Sequence, residues 1–136
     1  MFVDKIYEDD WSGVKSLDAE YTCADFNQVE SAIRRLNGKN KTMVVISSSV
    51  NNKALSIAGG NDGKYIAYLA VDVDDKLYNL TSGEEKAEKY CDIVAGGQSG
   101  SYPVNQCLDI LTIIKACRYF TIYGEMDPDL IWELQE

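Results

Sequence analysis

The most informative part of this chain is residues 96–132, which read GGQSGSYPVNQCLDILTIIKACRYFTIYGEMDPDLIW. A glycine-rich turn leads into apolar residues at helical spacing. This pattern predicts one long helix from Val104 to Tyr123, with only a narrow polar stripe. Gly124 follows where a left-handed helix end is expected, because glycine has no Cβ to clash there. The wide apolar face of this helix predicts deep burial across a sheet.

A second, short helix is predicted directly after the long one. Asp127 and Pro128 have the order of an N-cap and a first helical residue, which needs no amide donor. Trp132 lies among apolar neighbours in this segment. We therefore expect Trp132 to hold the terminal helix against the core.

The first two thirds of the chain predict one further helix and several strands. Asp25 is a plausible N-cap for a helix from Phe26 to Asn37, whose apolar residues recur at helical spacing. β-Branched and alternating segments joined by short turns predict antiparallel strands at Phe2–Tyr7, Thr42–Ser48, Ala54–Ala58, Lys64–Val73, Leu77–Leu80 and Tyr90–Ala95. The predicted fold is α+β: a mainly antiparallel sheet with helices packed on one face, and a long helix followed by a short one near the C-terminus.

The length and hydropathy of the chain predict one soluble domain over residues 1–136. The sequence has no apolar run of the roughly 18 residues that a membrane span requires. Its start, Met1 to Lys5, carries an early acid and does not resemble a secretory signal. We therefore expect a cytoplasmic protein with no membrane partner, either a monomer or a weak dimer.

The charge of the chain points to a basic partner. There are 22 acidic and 13 basic residues, for a net charge of −9. Nucleic acid as a direct ligand is disfavoured, because phosphate binding needs a basic surface. An acidic protein is steered towards enzymes that line their channels with lysine and arginine, although many soluble proteins are acidic for solubility alone.

The cysteine pattern gives no metal site or disulfide framework. The four cysteines, Cys23, Cys91, Cys107 and Cys117, form no C-x-x-C pair, and the chain has no histidine. Cys107 and Cys117 fall in the predicted long helix, about 15 Å apart, which is beyond disulfide reach. Reduced, buried thiols are the favoured reading, and a Cys23–Cys91 pair is left open.

No catalytic constellation is recognisable. The glycine-rich segments lack the residues of a phosphate-binding loop, so they are interpreted as turns. The acidic cluster of Asp72, Asp74 and Asp75 lacks the full pattern of a calcium loop. Without histidine, the commonest general base is missing. The sequence therefore predicts a protein that is not an enzyme and has neither a cofactor nor a metal.

Several motifs resemble the first-described immunity-protein family of bacterial polymorphic toxin and contact-dependent inhibition systems. The ending GExDPxLxWE, from Gly124 to Glu133, is the most specific of them. The other matching positions are Gly59 and Gly60 followed by Tyr65, Gly96-Gly97-Gln98 with Tyr102-Pro103, Ala116 and Phe120. The resemblance implies an antidote that binds one cognate toxin, and it covers most of the chain in element order.

The shared motifs are interpreted as scaffold, so they do not locate a toxin-binding surface. The scaffold residues are Gly59, Gly60, Gly96, Gly97, Gln98, Pro103, Gly124, Asp127, Pro128 and Trp132. Exposed acids and aromatic anchors are the candidate contacts, because charge steers association and tyrosine and tryptophan dominate hot spots. The candidates are Asp9, Asp10, Trp11, Asp62, Tyr68, Asp72, Asp74, Asp75, Tyr78, Glu84 and Glu85, with Tyr102 as a further aromatic anchor.

The sequence therefore predicts an immunity protein that occludes the active site of a basic toxin domain, a nuclease or a deaminase. Two alternatives stay open: an acidic adaptor module without a toxin partner, and a small metal-dependent hydrolase. Genomic neighbourhood separates the first alternative from an antidote. Metal titration and an activity screen test the second.

Overall fold

A seven-stranded antiparallel sheet dominates the computed structural model, which describes residues 1–72, 76–84 and 88–135. The elements in chain order are β1 Lys5–Glu8, β2 Trp11–Ser12, β3 Lys15–Ser16, β4 Ala19–Thr22, α1 Phe26–Arg35, β5 Met43–Ser47, β6 Lys53–Gly59, β7 Tyr65–Val71, β8 Lys76–Thr81, β9 Tyr90–Ala95, β10 Gln98–Pro103, α2 Ile110–Tyr123 and β11 Ile131–Leu134. Single 3₁₀ turns lie at Asn61–Gly63 and Val104–Gln106. The predicted α+β class is confirmed.

The strand order of the large sheet is β11-β8-β7-β6-β5-β1-β4, and every neighbouring pair is antiparallel. The central strands β5 to β8 are joined in sequence order, as their short connections predicted. Strands β9 and β10 form a separate hairpin, and β2 and β3 a second, smaller one.

Both helices pack on one face of the sheet. A row of apolar side chains crosses this face in register, from Ile6 through Ile46 and Leu55 to Leu69. The buried faces of α1 and α2 join the same hydrophobic cluster. Burial of this area supplies most of the driving force for folding.

Neither α1 nor α2 packs on the opposite face of the sheet, which we call the helix-free face and which the β9–β10 hairpin covers in part. Ile93 of β9 and Cys107 pack there against Ala58 and Ile66 in a small second cluster. The other side chains on this helix-free face range from buried, as at Ser56, to exposed.

The predicted start of the long helix was wrong. The segment from Val104 to Gln106 is a 3₁₀ turn, and α2 begins only after Asp109, whose side chain accepts a hydrogen bond from Thr112 N at 2.8 Å. Leu108 exchanges backbone hydrogen bonds with Tyr65, which holds it extended. A helical path is therefore excluded just before the cap.

The predicted short terminal helix was also wrong. After Gly124, whose φ of 71° ends α2 as expected, the chain makes a turn and enters strand β11. Asp127 accepts a hydrogen bond from Asp129 N, but Pro128 starts no helix. Strand β11 pairs with β8, and Trp132, paired with Leu80, packs against the core from a strand.

The prediction of four reduced thiols was wrong for two of them. A disulfide joins Cys91 of β9 to Cys107, with the two Cα atoms 6.7 Å apart, while Cys23 and Cys117 are free and buried. Cys91 therefore pairs with Cys107 and not with Cys23. The sequence signal was missed because β10 was not predicted, and the β9–β10 hairpin returns the chain to Cys91.

Candidate functional site

Asp9 is an interior residue. It is 1% exposed, and its carboxylate accepts hydrogen bonds from the backbone amides of Thr42 and Met43, from the Thr42 hydroxyl and from Trp11 Nε1. A buried carboxylate needs such partners. We assign Asp9 a structural role and leave it out of the proposed contact surface.

Asp10 and Trp11 lie beside Asp9 and are half-buried. Asp10 accepts a hydrogen bond from Asn40 Nδ2 at 3.1 Å and lies 3.8 Å from Lys41 Nζ. The Trp11 ring lies directly over Gly97, where a Cβ would come within 2.6 Å of it. The loop thus connects β1 to the turn of the β9–β10 hairpin, and these two residues have internal contacts before any partner arrives.

The predicted acidic contacts do not form one cluster. Asp62 lies in the turn before β7, and Asp72 lies just after β7. They are therefore at opposite ends of a seven-residue strand, about 20 Å long at 3.3 Å per residue. Glu84 follows β8 and lies at the same end as Asp62, because β8 runs antiparallel to β7. Asp74, Asp75 and Glu85 lie outside the described residues.

Two of the predicted aromatic anchors meet on the helix-free face. Tyr68 of β7 and Tyr102 of β10 line the same groove, whereas Tyr78 points the other way and packs against the core under the helices. Burial, and next the neighbouring Tyr68, raise the pKa of the Tyr102 phenol. The Tyr102 phenol therefore stays neutral, and the rings of both tyrosines can stack or hydrogen-bond.

We call this depression the face groove. It encloses about 1040 Å³ between strands β7, β8 and β11 and the end of β10. Its lining side chains include Tyr68, Leu77, Asn79, Tyr102, Gln106 and Glu133. No lysine or arginine is among the described residues that line it, and Glu133 is the charged residue present.

Sequence reasoning missed Asn79, Gln106 and Glu133 as groove residues. Asn79 was detectable, since alternation along β8 places it and Leu77 on the face opposite Leu80. Gln106 and Glu133 were assigned to the two helical segments that the structure replaces with a 3₁₀ turn and a strand. Their position depended on pairings far apart in sequence.

A second depression lies at the end of the sheet, and we call it the end groove. It encloses about 500 Å³, and Lys64, Glu84, Asp109, Asp129, Val104 and Ile131 are among its lining residues. The Asp109 carboxylate already caps α2. The hydrogen bond that it accepts from the backbone amide of Thr112 is the main reason why the pKa of Asp109 is lowered. Asp129 lies 3.4 Å from Lys115 Nζ.

A third depression, about 510 Å³, lies between α1 and β4 and contains Arg35. Arg35 donates two hydrogen bonds to the Glu8 carboxylate, at 2.9 and 2.8 Å, and Tyr21 donates a third. Burial alone would raise the pKa of Glu8, but these donors and the charge on Arg35 outweigh it and the pKa is lowered. This guanidinium is therefore already committed to an internal ion pair.

The scaffold residues of the sequence motifs lie at turns and element ends. Gly59 and Gly60 make the turn after β6, Gly96 and Gly97 make the turn between β9 and β10, and Gly124 ends α2. Gln98 and Pro103 are the first and last residues of β10. Asp127 is buried and forms an ion pair with Lys115, with 2.9 Å between Nζ and the carboxylate. This pair holds the turn before β11 against α2.

The described part of the chain contains neither a membrane-spanning helix nor a metal-binding cluster. Neither helix there combines the length and the apolar character needed to cross a bilayer. Residues 1–72, 76–84 and 88–135 contain no group of three or more cysteine or carboxylate side chains placed to hold a metal ion.

Comparison with known proteins identifies a family. A family model described as Immunity protein Imm1 matches residues 18–134, which is most of the chain. The match spans α1, strands β4 to β11 and α2, and it contains the lining of the end groove and that of the face groove up to residue 134. No curated protein and no solved structure matches the chain.

Proposed function

This chain belongs to the Imm1 immunity-protein family, and from that premise we propose that it binds one cognate bacterial toxin domain and blocks its active site. The family match over residues 18–134 is the observation that carries the proposal. The toxin is a nuclease or a deaminase delivered by a neighbouring cell, and the protein acts in the cytoplasm. The complex contains one copy of each chain.

The charge of the protein supports a basic toxin. The net charge is −9, and the exposed carboxylates of Asp62, Asp72 and Glu84 have no hydrogen bond or ion pair with other described residues. Enzymes that act on nucleic acid have positively charged clefts. Charge complementarity gives fast association, and well-packed aromatic anchors slow dissociation.

Inhibition by occlusion requires no turnover. One molecule of this protein then silences one molecule of toxin, and the inhibition reverses when the complex dissociates. An enzyme that destroyed or modified the toxin would act at much lower ratios. Stoichiometry therefore separates this proposal from a catalytic mechanism.

The experiment uses the toxin encoded by the adjacent gene. Cells that produce the toxin domain alone are expected to stop growing, and co-production of this protein is expected to restore growth. With purified components, toxin activity should fall linearly with added protein and reach zero at a ratio of one to one. Unprotected cells and an uninhibited toxin would reject the proposal, and inhibition at strongly substoichiometric amounts would reject occlusion.

A further inference from the structure

The helix-free face of the sheet is only partly covered. One register row crosses all seven strands on this face, and its side chains range from buried to exposed: Glu20, Tyr7, Val45, Ser56, Tyr68, Asn79 and Glu133. The β9–β10 hairpin packs over the neighbouring row at Ala58 and Ile66, and its Tyr102 lies beside Tyr68 of this row.

The face groove combines the features of a binding hot spot. Tyr68 and Tyr102 present aromatic rings at half-buried positions, and tyrosine provides large contact area at low cost in side-chain entropy. Asn79, Gln106 and Gln135 add amide groups that can accept or donate. Leu77 supplies an apolar floor, so anchors and polar groups converge as at the centre of an interface.

The chemistry of the groove favours a cationic occupant. Aromatic faces attract ammonium and guanidinium groups, and amide oxygens accept their hydrogen bonds. The described lining residues include a carboxylate and no cation. A volume of about 1040 Å³ accommodates a short segment of a partner as well as its side chain.

The other two depressions fit a partner less well. The end groove already contains Lys64, and its Asp109 and Asp129 carboxylates have partners within the chain. In the third depression, Arg35 is the prominent cation and Glu8 is its counterion. A partner at either depression would compete with an ion pair or a capping hydrogen bond of a charged group. In the face groove, Asn79 Nδ2 donates a hydrogen bond to Gln135 Oε1 at 3.3 Å, and both of these side chains are neutral.

We propose that the cognate toxin docks on the face groove, and that the occupant is a toxin segment with an arginine or lysine side chain against Tyr68 and Tyr102. This inference rests on the proposed function and names the surface that performs it. Occupying such a basic residue of the toxin removes a group that the toxin needs to hold a phosphate backbone.

The test compares groove variants with matched variants on the helical side. Tyr68→Ala in the groove is paired with Tyr123→Ala, an exposed tyrosine near the end of α2. Asn79→Lys in the groove is paired with Asn27→Lys on the exposed face of α1. Each groove variant should weaken binding to the purified toxin domain at least about tenfold, and each control should change the Kd less than about twofold.

The sign of the charge identifies the occupant. Asn79→Asp should retain binding within about twofold or strengthen it, whereas Asn79→Lys should weaken it at least about tenfold. Equal loss in both variants would overturn a cationic occupant. Thermal unfolding confirms that each variant is folded, and if Tyr68→Ala does not fold, the two substitutions at position 79 decide the question.

The outcomes also separate this inference from the proposed function. If the wild-type chain inhibits the toxin and the groove variants bind it as tightly, the face groove is not the docking surface. The immunity function is then left intact. A wild-type chain that neither binds nor inhibits the toxin would overturn the immunity function itself.

Discussion

Asp9 shows how much one buried carboxylate can organise. It connects the loop after β1 to the start of β5 through Thr42 and Met43, and it holds the Trp11 indole. The Thr42 hydroxyl in turn accepts a hydrogen bond from Gly97 N at 3.0 Å, which extends the network to the β9–β10 turn. A single residue therefore couples three segments that are distant in sequence.

Replacing Asp9 with alanine should destabilise the protein strongly. Asp9→Ala leaves the amides of Thr42 and Met43 without their acceptor in the interior, which costs about 1–3 kcal/mol for each unpaired buried donor. We expect the free energy of unfolding, measured by urea titration, to fall by about 3 kcal/mol or more. The matched control is Asp10→Ala, which removes a half-exposed side chain and should cost less than about 1 kcal/mol. Equal losses in the two variants would contradict the network.

The sequence suggested that Asp9 is an exposed contact residue, whereas the structure buries it. Glu8, Asp9 and Asp10 form an acidic run that reads as a solvated loop, yet Glu8 and Asp9 are buried. The reason is that their partners, Arg35 and Thr42, lie 27 and 33 residues away. Local composition can predict an acidic loop, but it cannot predict which carboxylates find donors in the folded state.

At the scale of elements, the β9–β10 hairpin contributes Tyr102 to the face groove. Its turn consists of Gly96 and Gly97, with φ values of 59° and 80° that favour glycine at both positions. A Cβ at Gly96 would meet nothing within 4 Å, whereas one at Gly97 would lie 2.6 Å from the Trp11 ring. The two glycines therefore have the same backbone requirement and different surroundings.

Alanine at these two positions should separate backbone strain from steric contact. Gly96→Ala forces alanine into a left-handed backbone conformation, which should lower the free energy of unfolding by about 1–2 kcal/mol. Gly97→Ala adds a clash with the indole and should cost about 1–3 kcal/mol more. The comparison is made by urea unfolding, with Trp11 fluorescence as a second readout that should shift in Gly97→Ala alone. If both variants lose the same stability, the ring does not constrain the turn.

The disulfide should contribute to the stability of the same hairpin. Cys91 and Cys107 are 16 positions apart, and closing a loop of that size stabilises a protein by about 3 kcal/mol in the chain-entropy model. After oxidation in buffer, we expect two titratable thiols in denaturant instead of four. We also expect the double variant Cys91→Ser/Cys107→Ser to unfold at lower urea than the oxidised wild type.

A reducing agent provides the control for this prediction. It should lower the urea midpoint of the wild type towards that of the double variant and leave the variant unchanged. Four reactive thiols after oxidation, or equal midpoints with and without reductant, would show that the two cysteines do not pair in solution.

The elements that the sequence predicted well are those set by local pattern. Tyr90–Ala95 was predicted with the observed bounds, and Asp25 caps α1 as expected, accepting a hydrogen bond from Gln28 N at 3.2 Å. The last strand was not predicted, because Asp127 and Pro128 have a helix-start pattern and the competing pairing with β8 lies about 50 residues earlier. Tertiary pairing overrode the local signal there.

For the whole molecule, the sheet separates two kinds of surface. One face is covered by α1 and α2 over the main core, and the β9–β10 hairpin covers part of the other. The fold class followed from strand and helix order, which are local properties. The face groove did not, because Tyr68 and Tyr102 are 34 positions apart and come together only when β10 folds across β7. The sequence therefore suggested both tyrosines as contact candidates without predicting that they line one groove.

The net charge of −9 should make toxin binding depend on salt mainly through the association rate. Long-range attraction accelerates encounter and is screened beyond about 10 Å at 0.1 M salt, whereas packed contacts hold the complex together. Raising NaCl from about 50 to 500 mM should lower the association rate constant for the toxin domain about tenfold or more and change the dissociation rate constant far less. Stopped-flow fluorescence measures the first constant and surface plasmon resonance the second.

Two variants divide the charge effect from the groove effect. The triple variant Asp62→Asn/Asp72→Asn/Glu84→Gln removes three exposed charges outside the face groove, so it should flatten the salt dependence of association and leave dissociation nearly unchanged. Tyr68→Ala removes an anchor without changing the charge, so it should keep the salt dependence and speed dissociation. An association rate that does not respond to salt in the wild type would mean that the acidic surface does not steer the toxin, and any affinity would then come from the contacts alone.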